Sequence, residues 1–475
     1  MTASSSATTT PTHSDAPGPS GHTPMPAHRP GILRLITCGS VDDGKSTLIG
    51  RLLHETASVH ADQIDAIRRA STARRSEHLD LSLLTDGLRA EREQGITIDV
   101  AYRSFATDRR RFVLADTPGH VQYTRNMATG ASTADAAILL IDARQGVVEQ
   151  TRRHACIASL LGIRHLVVCV NKMDLVDHDP RHLERVRAEL LDFASTASPD
   201  GERTISACAS IAFIPISALH GDNIVRRSRR MDWYLGPTLL ELLEQLPDAR
   251  SLLEDFPRFP VQLVIRTHGD RAEDYRGYAG RLESGTLRIG DRIVALPSGA
   301  ESRIARLHVG ETEVGEIHAG RSGAMVLEDD VDISRGELVV TGASLELAPP
   351  RLGSRLTANV IWMHRQALEP KRQLLVKHCT RMLAARVTAI RHRIDLANGV
   401  ADTAADALQL NEIGRVDFRL TDEIAFDEYA RNRATGSLIF IDPQTNATVG
   451  AGLLAFPSRT DAPSGDSWPL GSGAP

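Results

Sequence analysis

One short stretch of the chain combines glycines, a lysine and a serine at a spacing that binds phosphate. Residues 39–46 read Gly-Ser-Val-Asp-Asp-Gly-Lys-Ser, which fits the G-x-x-x-x-G-K-S pattern. The two glycines let the backbone turn its N–H groups inward around phosphate oxygens. Lys45 is predicted to reach the β- and γ-phosphates of a nucleotide, and Ser46 to ligate Mg²⁺. The predicted site residues here are Gly39, Ser40, Val41, Asp42, Asp43, Gly44, Lys45, Ser46 and Thr47.

A second candidate stretch, Asp-Thr-Pro-Gly-His at 116–120, follows the apolar run 112–115. An aspartate at the end of a strand can hold Mg²⁺, usually through water, and Gly119 can offer its N–H to a γ-phosphate. Residues 121–131 are then predicted to form a helix that moves when this phosphate leaves. The predicted nucleotide contacts are Asp116, Thr117, Pro118, Gly119 and His120.

Two further residues complete the predicted catalytic set with Lys45. His120 is predicted to position the attacking water, because phosphoryl transfer depends mainly on placement and charge; a structural histidine after a turn is the alternative. Thr97, in the stretch Gly-Ile-Thr-Ile-Asp at 95–99, is predicted to bring its hydroxyl to Mg²⁺ and its N–H to the γ-phosphate. The predicted metal ligands are therefore Ser46, Thr97 and Asp116.

The base of the nucleotide is predicted to meet the stretch Asn-Lys-Met-Asp at 171–174. Asp174 can accept hydrogen bonds from the N1–H and the 2-amino group of guanine, a pair that adenine does not offer. Asn171 is expected to touch the base edge, and the stem of Lys172 to cover its face. A backbone N–H of Ser-Ala-Leu at 217–219 could meet guanine O6. The predicted base-side residues are Asn171, Lys172, Met173, Asp174, Ser217, Ala218 and Leu219.

The five stretches occur in order, each at the carboxyl end of a predicted strand, and apolar β-type runs alternate with helical patterns over residues 31–250. This order predicts an α/β P-loop GTPase domain, a mostly parallel sheet with helices on both faces, because ligands bind at the carboxyl edge of such sheets. Beyond Pro247 the pattern changes to short strands with Gly-rich turns, which predicts two successive β-barrel domains. The predicted boundaries are a disordered tail at 1–30, the GTPase domain at 31–250, barrels at 258–347 and 350–456, and a disordered tail at 457–475.

The composition of the chain limits the classes of function that it could have. The formal net charge is −5 and aromatic residues make up 4% of the chain, so neither charge nor stacking favours nucleic-acid binding. Five scattered cysteines without a C-x-x-C pair argue against a zinc site and fit a reducing cytoplasm. No apolar run reaches the length of a membrane span. The basic runs 109–111 and 226–230 are expected to be solvated turns; contact of the second with an acidic partner is the alternative.

The chain resembles the translation-factor class of GTPases over about residues 31–456. Within that class it is most similar to the large, GTP-binding subunits of bacterial sulfate adenylyltransferases. Stretches that carry the closer resemblance are residues 39–47, 86–99, 123–132, 233–240, 275–281 and 296–299. Elongation factor Tu-like chains share the plan of the GTPase domain but not these sequences.

The resemblance implies GTP and Mg²⁺ as cofactors and a smaller catalytic subunit as partner. That subunit would bind ATP and sulfate and form adenosine 5′-phosphosulfate and pyrophosphate, while this chain hydrolyses GTP and couples the energy to that reaction. Some relatives carry a fused adenylylsulfate kinase, which is not expected here because no second phosphate loop follows. Two rivals remain: an elongation-factor-like carrier of aminoacyl-tRNA, and a regulatory GTP switch without a metabolic reaction.

Overall fold

A computed structural model describes residues 31–58, 62, 81–84, 99–120, 124–195, 210–247, 255–267, 275–395 and 400–455. Thr97 and both predicted tails lie outside these residues. No helix within the described residues is long and apolar enough to cross a membrane.

The first domain is built on a six-stranded sheet with the order β2-β3-β1-β4-β5-β6. Only β2 runs antiparallel to its neighbour; every other pair is parallel. The strands are β1 (Ile32–Gly39), β2 (Ala101–Ala106), β3 (Arg111–Asp116), β4 (Ala136–Asp142), β5 (His165–Asn171) and β6 (Ser210–Pro215). The helices are α1 (Lys45–Glu55), α2 (Thr124–Ala131), α3 (Glu149–Leu160), α4 (Pro180–Ser195) and α5 (Leu239–Gln245), with 3₁₀ turns at Leu81–Leu84 and Met173–Val176.

The central strand β4 shows why helices cover both faces of this sheet. All seven of its residues are buried, as expected for a strand enclosed on two sides. Leu139 and Ile141 pack into one apolar cluster with α3 and α4, while Ile138 and Leu140 pack into another with α1 and α5. Alternate side chains therefore fill opposite layers, and the predicted α/β architecture is confirmed.

The second domain is a closed β-barrel. Six strands follow one another in the order β10-β15-β7-β8-β14-β11, and β11 pairs back with β10. The elements are β7 (Phe259–Thr267), β8 (Tyr275–Arg281), β9 (Thr286–Arg288), β10 (Arg292–Leu296), β11 (Glu301–Val309), β12 (Thr312–Val314), β13 (Glu316–His318), β14 (Ser322–Leu327), β15 (Leu338–Thr341) and α6 (Gly342–Leu347). Buried side chains such as Phe259, Tyr278 and Ile293 fill the interior.

The third domain repeats this plan with longer strands. Its closed order is β17-β21-β22-β16-β20-β18, with β18 pairing back to β17. The strands are β16 (Arg351–Trp362), β17 (Gln373–His378), β18 (Arg381–Ile394), β19 (Ala401–Asp402), β20 (Ile413–Phe426), β21 (Ser437–Ile441) and β22 (Thr448–Ala455). The predicted pair of β-barrels is thereby confirmed.

One turn of the third domain, residues 427–436, contacts both other domains. The buried Asp427 accepts two hydrogen bonds from the Arg258 guanidinium, at 2.8 and 3.0 Å, which joins the two barrels. The Tyr429 hydroxyl donates to the Leu161 carbonyl at 2.9 Å, and Arg433 donates to the Ala134 carbonyl at 2.9 Å. These bonds attach the third domain to the GTPase-type domain.

The expectation that residues 109–111 form a solvated turn is wrong for Arg110. This side chain is buried, and its guanidinium donates to the carbonyls of Leu243 and Leu246. Carbonyls at the end of a helix lack partners within the helix, so the cation satisfies the last turn of α5. The basic residue thus fastens α5 to the β2–β3 turn.

Candidate functional site

The predicted motifs meet at one edge of the sheet. Thr37 is paired in register with Asp116, and Asp142 with Asn171, across parallel strands. Because the carboxyl ends of parallel strands share an edge, the loops that follow these residues form one cluster.

The phosphate loop folds tightly around its own lysine. Gly44 has φ 94° and begins α1, a left-handed conformation that glycine adopts without strain. A Cβ on Gly39 would lie 2.8 Å from the Leu140 carbonyl oxygen, so this position also requires glycine. The Lys45 ammonium donates to the carbonyls of Gly39 at 3.1 Å and Ser40 at 2.8 Å. Burial lowers the Lys45 pKa, and a phosphate placed here would restore its preference for charge.

Asp43 places a buried carboxylate inside this loop. Its Oδ2 accepts the Ser40 N–H at 2.5 Å. Burial raises the pKa of the Asp43 carboxyl to about 6, although the Ser40 N–H and the Lys45 charge act in the opposite direction. Sequence reasoning placed Asp43 in the loop without foreseeing this perturbation.

Replacing Asp43 by Asn should remove a pH dependence of folding. Because the folded pKa is raised, the folded state holds a proton that the unfolded chain has released between about pH 4 and pH 6. The stabilising contribution is therefore full below about pH 4 and is lost as the pH rises through 6. At pH 7.5, Asp43→Asn should raise the free energy of unfolding by on the order of 1–3 kcal/mol, and at pH 4 by little.

Urea unfolding of the nucleotide-free protein at several pH values would measure this effect. Asp42→Asn is the matched control, because Asp42 is the exposed neighbour in the same loop. An equal gain in stability at pH 4 and pH 7.5 would contradict the assignment to Asp43 ionisation.

Two threonine side chains join the ends of β1 and β3 at the predicted γ-phosphate side of the site. The Thr37 hydroxyl donates to Asp116 Oδ1 at 3.2 Å, and the Thr117 hydroxyl donates to the Thr37 carbonyl at 2.5 Å. Asp116, Thr117, Pro118 and Gly119 are all buried, whereas His120 is exposed. The buried carboxylate is thus fixed in place while the next turn reaches the surface.

The side chains present fit Mg²⁺ bound together with a nucleotide. No group of three or more His, Cys, Asp or Glu side chains that could hold a metal occurs in the described parts of the chain. Mg²⁺ usually keeps waters and takes only one or two protein oxygens plus phosphates. The Ser46 hydroxyl and the Asp116 carboxylate offer such oxygens, and the metal would neutralise phosphate charge there.

Gly119 packs directly against the phosphate loop, and its carbonyl is held by a hydrogen bond from a neighbouring helix. A Cβ at this position would lie 2.4 Å from the Lys45 ammonium nitrogen. The Gln150 side-chain amide donates to the Gly119 carbonyl at 3.2 Å and lies 3.1 Å from His154 Nε2. His154 is buried, and burial followed by the Lys45 charge lowers its pKa to about 3. A neutral imidazole can accept from Gln150 through Nε2, which orients the amide toward Gly119.

Loss of the Gln150 amide should slow hydrolysis more than it weakens nucleotide binding. Gln150→Ala frees the Gly119 peptide, whose N–H is predicted to meet the γ-phosphate but not GDP. We expect turnover of GTP to fall roughly tenfold while the GDP affinity stays within about twofold, because only γ-phosphate-dependent interactions change. Single-turnover hydrolysis and GDP titration measure the two quantities. Gln145→Ala, the same change at an exposed glutamine, should alter neither.

Asn171 ties together the loops of the base side. Its amide nitrogen donates to the Asp43 carbonyl at 2.7 Å, and its Oδ1 accepts the Ala218 N–H at 2.9 Å. Arg51 on α1 adds hydrogen bonds to the carbonyls of Ala218 and Leu219. Contact of Asn171 with the base edge stays a prediction, while its bonds fix the phosphate loop relative to residues 217–219.

Asp174 lies between two polar side chains. The Ser217 hydroxyl donates to Asp174 Oδ1 at 2.6 Å, and His220 Nδ1 lies 3.9 Å from Asp174 Oδ2. A carboxylate has about four lone-pair sites, so acceptor capacity remains for a base. Ser217 therefore orients the predicted guanine-binding carboxylate.

Asp142 is a site residue that sequence reasoning missed. Its buried carboxylate accepts from the Lys172 ammonium at 3.0 Å and from Arg144 at 2.6 and 3.0 Å. Burial opposes ionisation, but the hydrogen bonds from Arg144 and Lys172 prevail and hold the Asp142 pKa at about 2. The only feature of the sequence that could have indicated Asp142 was its position at the end of the apolar run 136–142. The ion pair with Asp142 therefore holds Lys172 where its stem is predicted to cover the base.

The remaining predicted residues complete this cluster of loops. Met173 is fully buried and donates its N–H to the Ile216 carbonyl at 3.2 Å. Val41, Ser46 and Thr47 are partly buried around the phosphate loop, and Leu219 is partly exposed. All predicted site residues within the described ranges therefore lie at the same sheet edge.

Models of two known protein families agree with this architecture. Residues 31–249 match the elongation factor Tu GTP binding domain, and residues 355–455 match the GTP-eEF1A C-terminal domain-like family. Among solved structures, the S. cerevisiae Ski7 GTPase-like domain, bound to GDP and inorganic phosphate, matches at 17% identity with a TM-score of 0.49, covering 90% of this chain and 97% of that chain.

Full-length relatives are more similar. Sulfate adenylyltransferase subunit 1 of Salmonella typhimurium is 50% identical over 425 residues, which cover 89% of this chain and 85% of the relative. The protein of the same name from Erwinia tasmaniensis is 48% identical over 438 residues, covering 92% of this chain and 88% of the relative. Because this similarity spans the GTP-binding domain and both barrels, the chain belongs to the sulfate adenylyltransferase subunit 1 family of translation-factor-like GTPases.

Proposed function

We propose that this chain is the GTP-hydrolysing subunit of a sulfate adenylyltransferase. The observation that carries the proposal is 50% identity with a subunit of that enzyme over 425 residues. The five predicted nucleotide motifs are present in that same chain, and four of them lie on described residues at one sheet edge.

The phosphate side of the site supports binding and hydrolysis of GTP. Lys45 would neutralise charge on the β- and γ-phosphates, and Ser46 and Asp116 would hold Mg²⁺, which supplies further neutralisation when bound. Gly119, braced by Gln150, would present its N–H to the γ-phosphate. His120, exposed beside Gly119, would orient the attacking water.

The base side supports selection of guanine over adenine. Asp174 would accept from the N1–H and the 2-amino group, with Ser217 fixing its orientation at 2.6 Å. Lys172, held by Asp142, would cover the base. Adenine would leave the acceptor oxygens of the partly buried Asp174 carboxylate unpaired, and the lost hydrogen bonds would lower the affinity for ATP relative to GTP.

The partner we propose is a smaller subunit that binds ATP and sulfate and forms adenosine 5′-phosphosulfate and pyrophosphate. The relatives are named sulfate adenylyltransferase subunit 1, and that name implies a second subunit. Hydrolysis of GTP on this chain would drive that unfavourable reaction through loops that respond to the γ-phosphate. The cytoplasm is the proposed compartment, since Cys38, Cys156, Cys169 and Cys379 are free thiols.

Pyrophosphate release from ATP and sulfate, measured with and without GTP, tests the proposal. The sample is this chain expressed together with the second subunit from the same organism. GTP should stimulate release in the wild-type complex and not in a Lys45→Ala complex, whose basal release should persist. Intact GTP hydrolysis in a complex without GTP-stimulated release would contradict the proposal and favour the carrier or switch.

A further inference from the structure

Three arginines stand side by side on the outside of the third domain. Arg355 on β16 is paired in register with Arg419 on β20, and Arg419 with Arg386 on β18. On the far side, Arg386 is in register with Gln373 on β17. All four side chains are exposed, so they share the outer face of the barrel. Since neighbouring strands lie about 4.8 Å apart, the three arginines of this row span roughly 10 Å.

The arginines of this row differ from other arginines of the same barrel. Arg391 pairs with Asp417 at 2.6 Å, Arg393 with Asp402 at 2.9 Å, and Arg381 with Asp422 at 3.5 Å. By contrast, Arg355, Arg386 and Arg419 make no ion pair or side-chain hydrogen bond with the residues that the structure describes. Like charges directly opposite each other on paired strands destabilise a sheet. The arrangement therefore costs the isolated chain stability and suits an anionic partner.

An exposed apolar side chain accompanies the row on β18. Met382 lies four residues before Arg386 on β18, an even spacing that places it on the same face of the strand, and it is 54% exposed. Apolar anchors beside arginines are typical of protein–protein interfaces, in which arginine and methionine are enriched.

The surroundings of the row favour a protein partner over a nucleic acid. The aromatic side chains of β16 and β20 (Trp362, Phe418 and Phe426) are buried, so no stacking platform faces outward from these strands. The exposed carboxylate of Glu423 follows Arg419 on β20 and would repel a phosphate backbone that extended past the row. A short group of carboxylates on a protein can match the row alone.

We infer that the row Arg355–Arg419–Arg386, with Met382, is the surface that docks an acidic patch of the second subunit. This inference rests on the proposed function for the identity of the partner. Guanidinium groups form paired hydrogen bonds with carboxylates, which gives such a contact both strength and orientation. Docking on the third domain would join the partner to the turn 427–436, which contacts the GTPase domain.

Arg419→Glu provides a test that separates docking from folding. The new carboxylate would lie between Arg355 and Arg386 and would relieve their repulsion, so the thermal midpoint of the free chain should stay level or rise. Affinity for the second subunit should fall at least tenfold, and its dependence on NaCl should weaken. Basal GTP hydrolysis should not change, because Arg419 lies outside the nucleotide site.

Three other substitutions complete the test. Arg306→Glu makes the same change at an exposed arginine on β11 of the second domain and should leave the affinity intact. Arg227→Glu tests the basic run 226–230, the rival docking site; loss of affinity there with Arg419→Glu unaffected would overturn the inference. Arg386→Glu repeats the measurement at the end of the row should Arg419→Glu fail to fold.

The measurement is sedimentation or surface binding of the purified second subunit to each variant, with total tRNA as a second probe. Loss of tRNA binding without loss of subunit binding would overturn the inference in favour of a nucleic-acid surface. A wild-type complex that binds through the row but shows no GTP-stimulated pyrophosphate release would refute the proposed function and leave the docking surface standing. Failure of both the docking surface and the proposed function would give a different result, because the affinity for the second subunit and the release of pyrophosphate are measured independently.

Discussion

Replacing Asp174 by Asn should weaken GTP binding by about a thousandfold, because a site built to hydrogen-bond a polar group strongly rejects the mismatched pairing. The Asn amide can accept only through its oxygen, and its nitrogen would face the 2-amino group of guanine donor to donor. Xanthosine triphosphate carries a carbonyl in place of that amino group, so its affinity should rise as the affinity for GTP falls. Titration of both nucleotides with the variant measures this exchange.

Asp177→Asn is the matched control for this experiment. Asp177 lies three residues further along the same loop and is exposed, so the same chemical change there should leave both affinities unchanged. Ser217→Ala should produce a smaller loss of roughly tenfold, because it removes the 2.6 Å hydrogen bond that orients Asp174. Unaltered GTP affinity in Asp174→Asn would remove this residue from the base site.

The strands and motifs of the first domain could be predicted because local signals agree there. Apart from the stretch 95–99, each motif follows an apolar run. The strands β4 and β5 are enclosed on both faces, so their sequences are almost continuously apolar. The order of motifs along the chain then specifies one sheet edge, since parallel strands end together. Nothing in this inference needed a contact between distant side chains.

The contacts that hold the site in shape could not be predicted in the same way. Asn171 joins Asp43, which lies 128 residues earlier in the chain, to Ala218, which lies 47 residues later. Gln150 reaches back 31 residues to Gly119. Residue types at such separations carry no spacing signal, so the role of Gln150 emerges only when α3 is packed beside the phosphate loop.

The third domain shows a different obstacle. Residues 380–432 could not be divided into strands from sequence, and β18 and β20 occupy much of that range. Their pairing shifts register between Val387 and Ala389 and again between Ile390 and His392. Each β-bulge adds one residue, which breaks the two-residue alternation on which strand prediction depends. Exposed arginines and alanines on the outer face weaken the pattern further.

Replacing His120 by Ala should lower the rate of GTP hydrolysis by roughly a hundredfold, since misplacing the attacking water by about 1 Å costs that much. The affinity for GTP should change little, because His120 is exposed at the rim and the phosphates are predicted to be held by Lys45 and the loop around it. Single-turnover hydrolysis and nucleotide titration separate the two effects.

His120→Gln distinguishes orientation of water from proton abstraction. A glutamine amide can orient a water by hydrogen bonding but cannot take its proton, as in other GTPases that use glutamine at this step. Substantial recovery of the rate in His120→Gln would assign His120 to orientation, and no recovery would assign it to proton transfer. Turnover near the wild-type rate in His120→Ala would mean that the histidine is structural. In that case the Gly119 peptide, braced by Gln150, would account for the placement of the γ-phosphate without a histidine.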